Sequence, residues 1–329
     1  MEVLMEYDER EQEMWVQSVL DDRGYTCLKL AGKGAFSRVY CLEDGKDGRI
    51  YACKVSEKVS LLEQEAEIMS KLQHPLFPKC FGLWQEGGTG FLLMEYIPGS
   101  NMKEMLGRRK RFLVEQTLRM GMELADGLRT LHEGQKSFVF RDVKPENVIV
   151  RQNGIVKLID FGCVCPLGKR AASRAGTPGF AAPEQMQGEG LLTAACDVYG
   201  WGQTMKAMLG MAENDIISQD TADSINRRQA AEKSKKEENA EKVKKAVWDS
   251  WIGQESGQVR KIRKQLCHIL EVCTKQEASE RIPDMRGVMA ALMPFMWLCA
   301  ENRNKGENRK FFYFQKGIIC EKNIIMIQL

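Results

Sequence analysis

Short apolar runs separated by glycine-containing turns fill the stretch from Tyr25 to about Glu95: YTCLKL, RVYCLE, RIYACKV, KCFGLWQ and GFLLMEY. Runs of this length and punctuation predict five strands. One helical pattern interrupts them, SLLEQEAEIMSKL at 60–72, with Leu61, Leu62, Ile68, Met69 and Leu72 on one side. Beyond Pro98-Gly99 the rhythm turns helical. Residues 112–132 carry an apolar stripe of Leu113, Leu118, Met122, Leu124, Ala125, Leu128 and Leu131, and 259–274 and 284–299 read as two further apolar helices. The expected fold class is α+β: a small five-stranded antiparallel sheet with one helix over 25–95, then a larger, mostly helical body over 96–300.

Three segments stand outside this plan. Residues 1–24 are rich in Glu and Asp, with Met14, Trp15, Val19 and Leu20 at near-helical spacing, and predict an acidic amphipathic helix packed on the domain surface. Residues 213–260 are charged, with Glu232/Lys236, Glu238/Lys242 and Glu241/Lys245 at i,i+4, the pattern of a solvated helical insertion. The tail, 301–329, is apolar in patches broken by Lys316, Glu321 and Lys322, and its role is not readable.

Composition narrows the partners only slightly. The 329 residues are 43% apolar and 28% charged with a net charge of +3, which sets up no strong field toward nucleic acid or membrane. Eleven cysteines run from Cys27 to Cys320 without paired CxxC spacing, and no signal-peptide pattern precedes them. A reducing, cytoplasmic setting is expected. The longest apolar run, GVMAALMPFMWLCA at 287–300, is shorter than the roughly 20 residues a membrane span needs and contains a proline, so it reads as a buried terminal helix. The basic run Arg108-Arg109-Lys110-Arg111 reads as a surface turn.

Candidate chemistry lies in four places. In LAGKGAFSRVY, Gly32 and Gly34 stand in a turn between predicted strands, where bare backbone can approach phosphate oxygens; a plain hairpin turn explains them equally well. In YACKV, Lys54 sits among apolar residues and requires an anionic partner, for which Glu65 on the following helix is the candidate. In FVFRDVKPENVIV, Asp142, Lys144 and Asn147 share a loop bounded by apolar runs, so a carboxylate able to accept a hydroxyl proton lies beside an amide oxygen able to ligate a hard cation. The strand IVKLI then ends in Asp160-Phe161-Gly162, a second hard oxygen ligand.

In this order and spacing the motifs resemble a eukaryotic-type protein kinase, specifically a serine/threonine kinase, over roughly residues 25–295. The resemblance implies a bilobal fold binding ATP with Mg2+, or Mn2+ in its place, and protein substrates with Ser or Thr acceptors. It further implies that Gly32, Gly34 and Ser37 cover the phosphates, that Lys54 held by Glu65 contacts them, and that Asn147 and Asp160 hold the metal. Asp142 becomes the base or orienter of the acceptor hydroxyl, with Lys144 toward the transferred group. Val39, Ala52 and Ile149 would sandwich the adenine, with Met94 at the gatekeeper position and backbone hydrogen bonds from Glu95 and Tyr96. Glu184 of the APE motif would pair with Arg281, and Asp197 would anchor the catalytic loop. Lys144 and Thr177 carry the Ser/Thr preference.

Two alternatives stand beside this reading: a pseudokinase scaffold, which predicts loss of Lys54, Asp142, Asn147 or Asp160, and a small-molecule phosphotransferase, which generally lacks the Lys-Pro-Glu and APE features. Arg141 implies coupling to activation-segment phosphorylation, with Ser173 the candidate site. Cys163 and Cys165 read as packing residues rather than a redox or metal pair. Phe140 replaces the family's usual histidine; by position it joins Met69, Cys80 and Phe161 in a packing column between the lobes.

Overall fold

The computed structural model describes residues 2–109, 111–134, 136–171, 175–211 and 257–304. The five expected strands are β1 (Tyr25–Lys33), β2 (Arg38–Asp44), β3 (Ile50–Ser56), β4 (Cys80–Glu86) and β5 (Thr89–Glu95). All neighbours pair antiparallel, in the order β1-β2-β3-β5-β4. Register assigns the faces, because directly paired residues point the same way and alternate residues along a strand share a side. Val39 faces Lys54, Cys41 faces Ala52, and Ala52 and Lys54 in turn face Met94 and Leu92. These six therefore share one face. Tyr40, Leu42, Cys53, Val55, Phe91 and Leu93 occupy the other.

That second face is covered by α1 (Glu2–Asp22), which inserts Val16, Val19 and Leu20 into a cluster with the six residues just named. Burial on both faces in β2, β3 and β5 explains why these strands read as unbroken apolar runs rather than alternating ones. The expected contact set of α1 is corrected in part: Val19 and Leu20 are buried, but Met14 is 62% exposed and Trp15 lies at the rim, while Val16 takes their place. The first sheet face receives α2 (Val59–Lys71), whose buried side is Leu62, Glu65, Ile68 and Met69; Leu61 turns outward, 47% exposed.

The larger part is helical. It contains α3 (Met102–Arg109), α4 (Val114–Glu133), α5 (Pro183–Gln187), α6 (Ala194–Leu209) and the helices Gly257–Cys273 and Met285–Asn304. Leu113 precedes α4 and is exposed, while the rest of the predicted stripe is buried. Gly121 lets α4 and α6 meet: a Cβ there would lie 2.2 Å from Met205 Cε, and Trp201 Nε1 donates to the Gly121 carbonyl at 2.9 Å. The helix Met285–Asn304 runs through Pro294 and buries Met285, Val288, Leu292 and Phe295. Two small sheets carry the loops of interest: a three-stranded one in the order β6 (Ser100–Asn101), β8 (Val148–Val150), β9 (Val156–Leu158), and a pairing of β7 (Phe138–Val139) with β10 (Cys165–Pro166). Lys110 of the basic run, Ser173, residues 212–256 with the Glu–Lys pairs, and the tail from 305 lie outside the described residues.

Candidate active site

Lys54 projects from the middle of β3 beneath the hairpin that joins β1 to β2. Its ammonium donates to Glu65 Oε1 and Oε2 at 3.0 and 2.7 Å and to Asp160 Oδ1 at 2.9 Å. Burial alone would lower the lysine pKa, but the two carboxylates outweigh it and hold the pKa above its ordinary value. The amine is therefore a fixed cation at neutral pH. Glu65 Oε1 also accepts the Phe161 N–H at 3.1 Å, and Gln64 Nε2 donates to the Val164 carbonyl at 3.1 Å, so α2 grips both the lysine and the segment after Asp160. Asp160 holds φ +70°, a left-handed conformation costly for a residue with a side chain. Lys54 and the Gly162 N–H, 3.3 Å from Oδ1, hold it there.

The second cluster forms on the loop between β7 and β8. Asp142 Oδ1 accepts from Thr177 Oγ1 at 2.8 Å, and Oδ2 lies 2.8 Å from Lys144 Nζ. Lys144 in turn donates to Thr177 Oγ1 at 2.6 Å. A carboxylate, an ammonium and a hydroxyl thus converge. Asn147 donates through Nδ2 to the Asp142 carbonyl and Oδ2, at 2.9 and 3.1 Å, which leaves its Oδ1 as the acceptor. The Ile159 N–H donates to the Asn147 carbonyl at 2.8 Å, tying the residue beside Asp160 to this loop. One amide oxygen and the half-exposed Asp160 carboxylate are hard oxygen donors of the number Mg2+ takes alongside phosphate and water. Among the described residues no cluster of three or more His, Cys, Asp or Glu forms a cage for another metal.

The loop is held from beneath. Asp197 in the first turn of α6 is buried and accepts the Phe140 and Arg141 N–H groups, each at 2.7 Å. Gln185 Nε2 donates to the Arg141 carbonyl at 3.0 Å. Arg141, at φ +72°, is thus clamped through both its backbone groups. His132 Nε2 completes the set 2.8 Å from Asp197 Oδ2. Glu184 and Arg281 meet in a bidentate pair, 2.7 and 2.8 Å, with the guanidinium also donating to the carbonyls of Lys275, Gln276 and Ala195.

Around the expected base pocket, Val39 and Ala52 share the Lys54 face, and Met94 pairs with Ala52 across β3 and β5. Ile149 lies on β8, brought under the chain leaving β5 by Gly99, where a Cβ would sit 2.8 Å from Ile149 Cγ2 and 2.5 Å from the Val150 carbonyl. The Glu95 N–H donates to the Lys79 carbonyl at 2.8 Å, so a hydrogen bond from Glu95 to a base falls to its carbonyl. Its carboxylate is taken by the buried Lys157 at 2.9 Å. In the glycine hairpin, Gly32 lies in the β1–β2 ladder opposite Val39, and the Gly34 N–H closes the turn on the Ser37 carbonyl at 2.8 Å.

Phe140 is fully buried, edge-on to Phe161 at 5.6 Å, and Phe161 is edge-on to Phe77 at the same distance. Met69 and Cys80 belong to the same core. Phe77, His132 and the Lys157–Glu95 pair carry positioning roles that sequence reading missed. HisPro at 74–75 and the His before Glu133 were visible, but their partners lie far along the chain. Cys163 and Cys165 have pKa values raised chiefly by burial, so both are neutral thiols.

A small antiparallel sheet above a helical body, with a lysine–glutamate–aspartate set meeting an aspartate–lysine–asparagine loop, is the arrangement of the protein kinase fold. The chain belongs to the protein kinase domain family, whose model matches residues 25–293. It is similar to an Aurora kinase of Eremothecium gossypii, 32% identical over 47% of this chain and 45% of that protein. It is equally similar to the human cAMP-dependent protein kinase catalytic subunit PRKX, 32% identical over 50% of this chain and 48% of that protein. The human citron Rho-interacting kinase is also 32% identical, over 54% of this chain but only 10% of its own length. The match therefore spans less than half the length of these relatives. No helix among the described residues is long and apolar enough to cross a membrane.

Proposed function

We propose that the protein transfers the γ-phosphoryl group of ATP to Ser and Thr hydroxyls of protein substrates. The observation that carries this reading is the simultaneous presence of both clusters: Lys54 bonded to Glu65 and Asp160, and Asp142 bonded to Lys144 and Thr177. In this proposal Lys54 binds the α- and β-phosphates under Gly32, Gly34 and Ser37, while Val39, Ala52, Ile149, Met94 and the Glu95–Tyr96 backbone hold the base. Asp142 orients the acceptor hydroxyl and takes its proton, and Lys144 steadies the charge that develops on the transferred group. Asn147 and Asp160 would hold Mg2+, which supplies charge neutralisation between the phosphates when bound. The Lys144–Thr177 contact supports Ser/Thr acceptors, and the similar Aurora and cAMP-dependent kinases agree with that class.

A binding-only scaffold finds no support in a missing group, since Lys54, Asp142, Asn147 and Asp160 are all in place. A small-molecule phosphotransferase is disfavoured by the Lys-Pro-Glu run and by the APE motif, whose Glu184 pairs with Arg281. A cytoplasmic setting belongs to the same proposal and rests on eleven cysteines without paired CxxC spacing. The test is radiolabelled transfer from ATP to a generic basic protein, followed by phosphoamino-acid analysis. The parent labels Ser and Thr, and Asp142→Asn falls by about 10²–10⁴-fold. A parent no more active than Asp142→Asn on several substrates would overturn the reading in favour of the scaffold.

A further inference from the structure

Helix α1 precedes the segment that the kinase-domain family accounts for, residues 25–293, yet its C-terminal half is seated on the sheet. Val16, Val19 and Leu20 are buried in the outer face. Trp15 lies over the β4–β5 turn, where a Cβ on Gly87 would come within 2.7 Å of Trp15 Cζ2. Just after the helix, Arg23 pairs with Glu86 at 3.0 Å and lies 5.0 Å over the Trp84 ring. The helix is therefore fixed in rotation, and with it the position of Gln12.

Both ends of the Gln12 amide are engaged by site elements. Its Oε1 accepts from Arg38 Nη1 at 2.7 Å, and its Nε2 donates to Glu57 Oε1 at 2.7 Å. Arg38 opens β2 directly after Ser37, so it is the base of the glycine hairpin; Glu57 lies in the turn between β3, which carries Lys54, and α2, which carries Glu65. The same turn holds the tip of the hairpin: Ser56 Oγ donates to the Phe36 carbonyl at 2.5 Å, and Lys58 Nζ stands 3.1 Å above the centre of the exposed Phe36 ring. The hairpin is thus tied at its tip to the β3–α2 turn directly, and at its base to the same turn through one residue of α1.

We propose that Gln12 is a positioning residue for nucleotide binding, holding the glycine hairpin and the β3–α2 turn in one arrangement from outside the family's domain. The proposal rests on the phosphotransferase reading for its effect on ATP, but the tether itself is a property of the free chain. A neutral amide suits this place because it can accept from a cation and donate to a carboxylate at once, whereas either charged residue would satisfy one partner and repel the other.

The test uses the full chain with Gln12→Ala and Gln12→Glu. Gln12→Ala is expected to raise KM for MgATP about three- to tenfold with kcat within about twofold, the signature of lost binding rather than lost chemistry. Melting should stay within about 2 °C of the parent, since the apolar seat of α1 is untouched. Gln12→Glu keeps the Arg38 acceptor and should recover part of the KM, and Gln12→Ala combined with Arg38→Ala should be less than additive. Hydrogen exchange without nucleotide reads the tether independently: the Gly34 amide, bonded to the Ser37 carbonyl, should exchange faster in Gln12→Ala. If the parent transfers no phosphate, the proposed function fails while faster exchange still upholds the tether. Unchanged exchange at Gly34, or an unchanged KM in an active enzyme, would overturn the positioning role and leave α1 a cover for the sheet.

Discussion

Phe140 precedes Arg141-Asp142 where the family usually places histidine, and its surroundings explain why an imidazole is dispensable. Its ring is fully buried in the apolar core, edge-on to Phe161, while its N–H carries the polar contact to Asp197. Edge-to-face aromatic pairs contribute about 0.5–1.5 kcal/mol beyond area burial, so Phe77, Phe161 and Phe140 form a stiff apolar link toward the loop. Phe140→His replaces part of that link with a polar ring lacking an evident partner, at a stability cost of about 1–3 kcal/mol. Because the backbone anchor survives, transfer activity should remain within about tenfold, or 1.4 kcal/mol of barrier. Steady-state kinetics and a melting curve check both numbers; a loss of activity matching Asp142→Asn would mean that position 140 reaches the chemistry directly.

At the scale of elements, the loop depends on α6. Asp197→Ala would strip the carboxylate from the buried Phe140 N–H and His132 Nε2 and from the part-buried Arg141 N–H. Buried donors left without acceptors cost about 1–3 kcal/mol each, and Arg141 at φ +72° would lose what holds it there. The expected result is a loss of about 3 kcal/mol or more in urea unfolding together with near-complete loss of transfer, whereas Asp197→Asn retains one acceptor and should cost less. Similarly, Leu20→Ala on α1 should destabilise by about 2–5 kcal/mol, because the side chain is fully buried against the sheet. Legibility in the sequence follows the same division. The central strands β2, β3 and β5 are plain because runs buried on both faces leave no doubt about their length. The Lys54 partner was readable because a buried cation in a strand demands an anion on the next element. The rotation of α1 was not, since Met14, Trp15 and Val16 are all apolar and only the sheet decides which turns inward. Leu61 and Leu113 erred for a related reason: they stand at helix starts, where periodicity has no earlier turn to set its phase. His132 and Lys157 were hidden because their partners, Asp197 and Glu95, lie 65 and 62 residues away and nothing local announces the pairing.

Across the whole molecule, the Glu184–Arg281 pair joins residues 97 apart, and it ties acid sensitivity to the anchoring of α5. Burial would raise the Glu184 pKa, but hydrogen bonds and charge from Arg281 outweigh it and hold the carboxyl below its ordinary value of 4.5. A carboxyl depressed in the folded state stabilises the fold fully above 4.5 and loses that contribution as the pH falls through its folded value. Glu65 has the opposite sign, since burial raises its carboxyl, so its protonation on acidification does not add to the loss. Glu184→Gln leaves the fully buried Arg281 guanidinium its carbonyl partners but no counter-charge. Breaking such a pair costs about 3–5 kcal/mol, so the variant should unfold at lower urea than the parent at pH 7. Below pH 4.5 the unfolded parent takes up a proton at Glu184 that the folded parent resists, and the variant has nothing there to protonate, so the gap between their urea midpoints should narrow as the pH falls below 4.5. A gap that stays constant from pH 7 to 3.5 would mean that the amide replaces shape rather than charge, and that acid weakens this protein elsewhere.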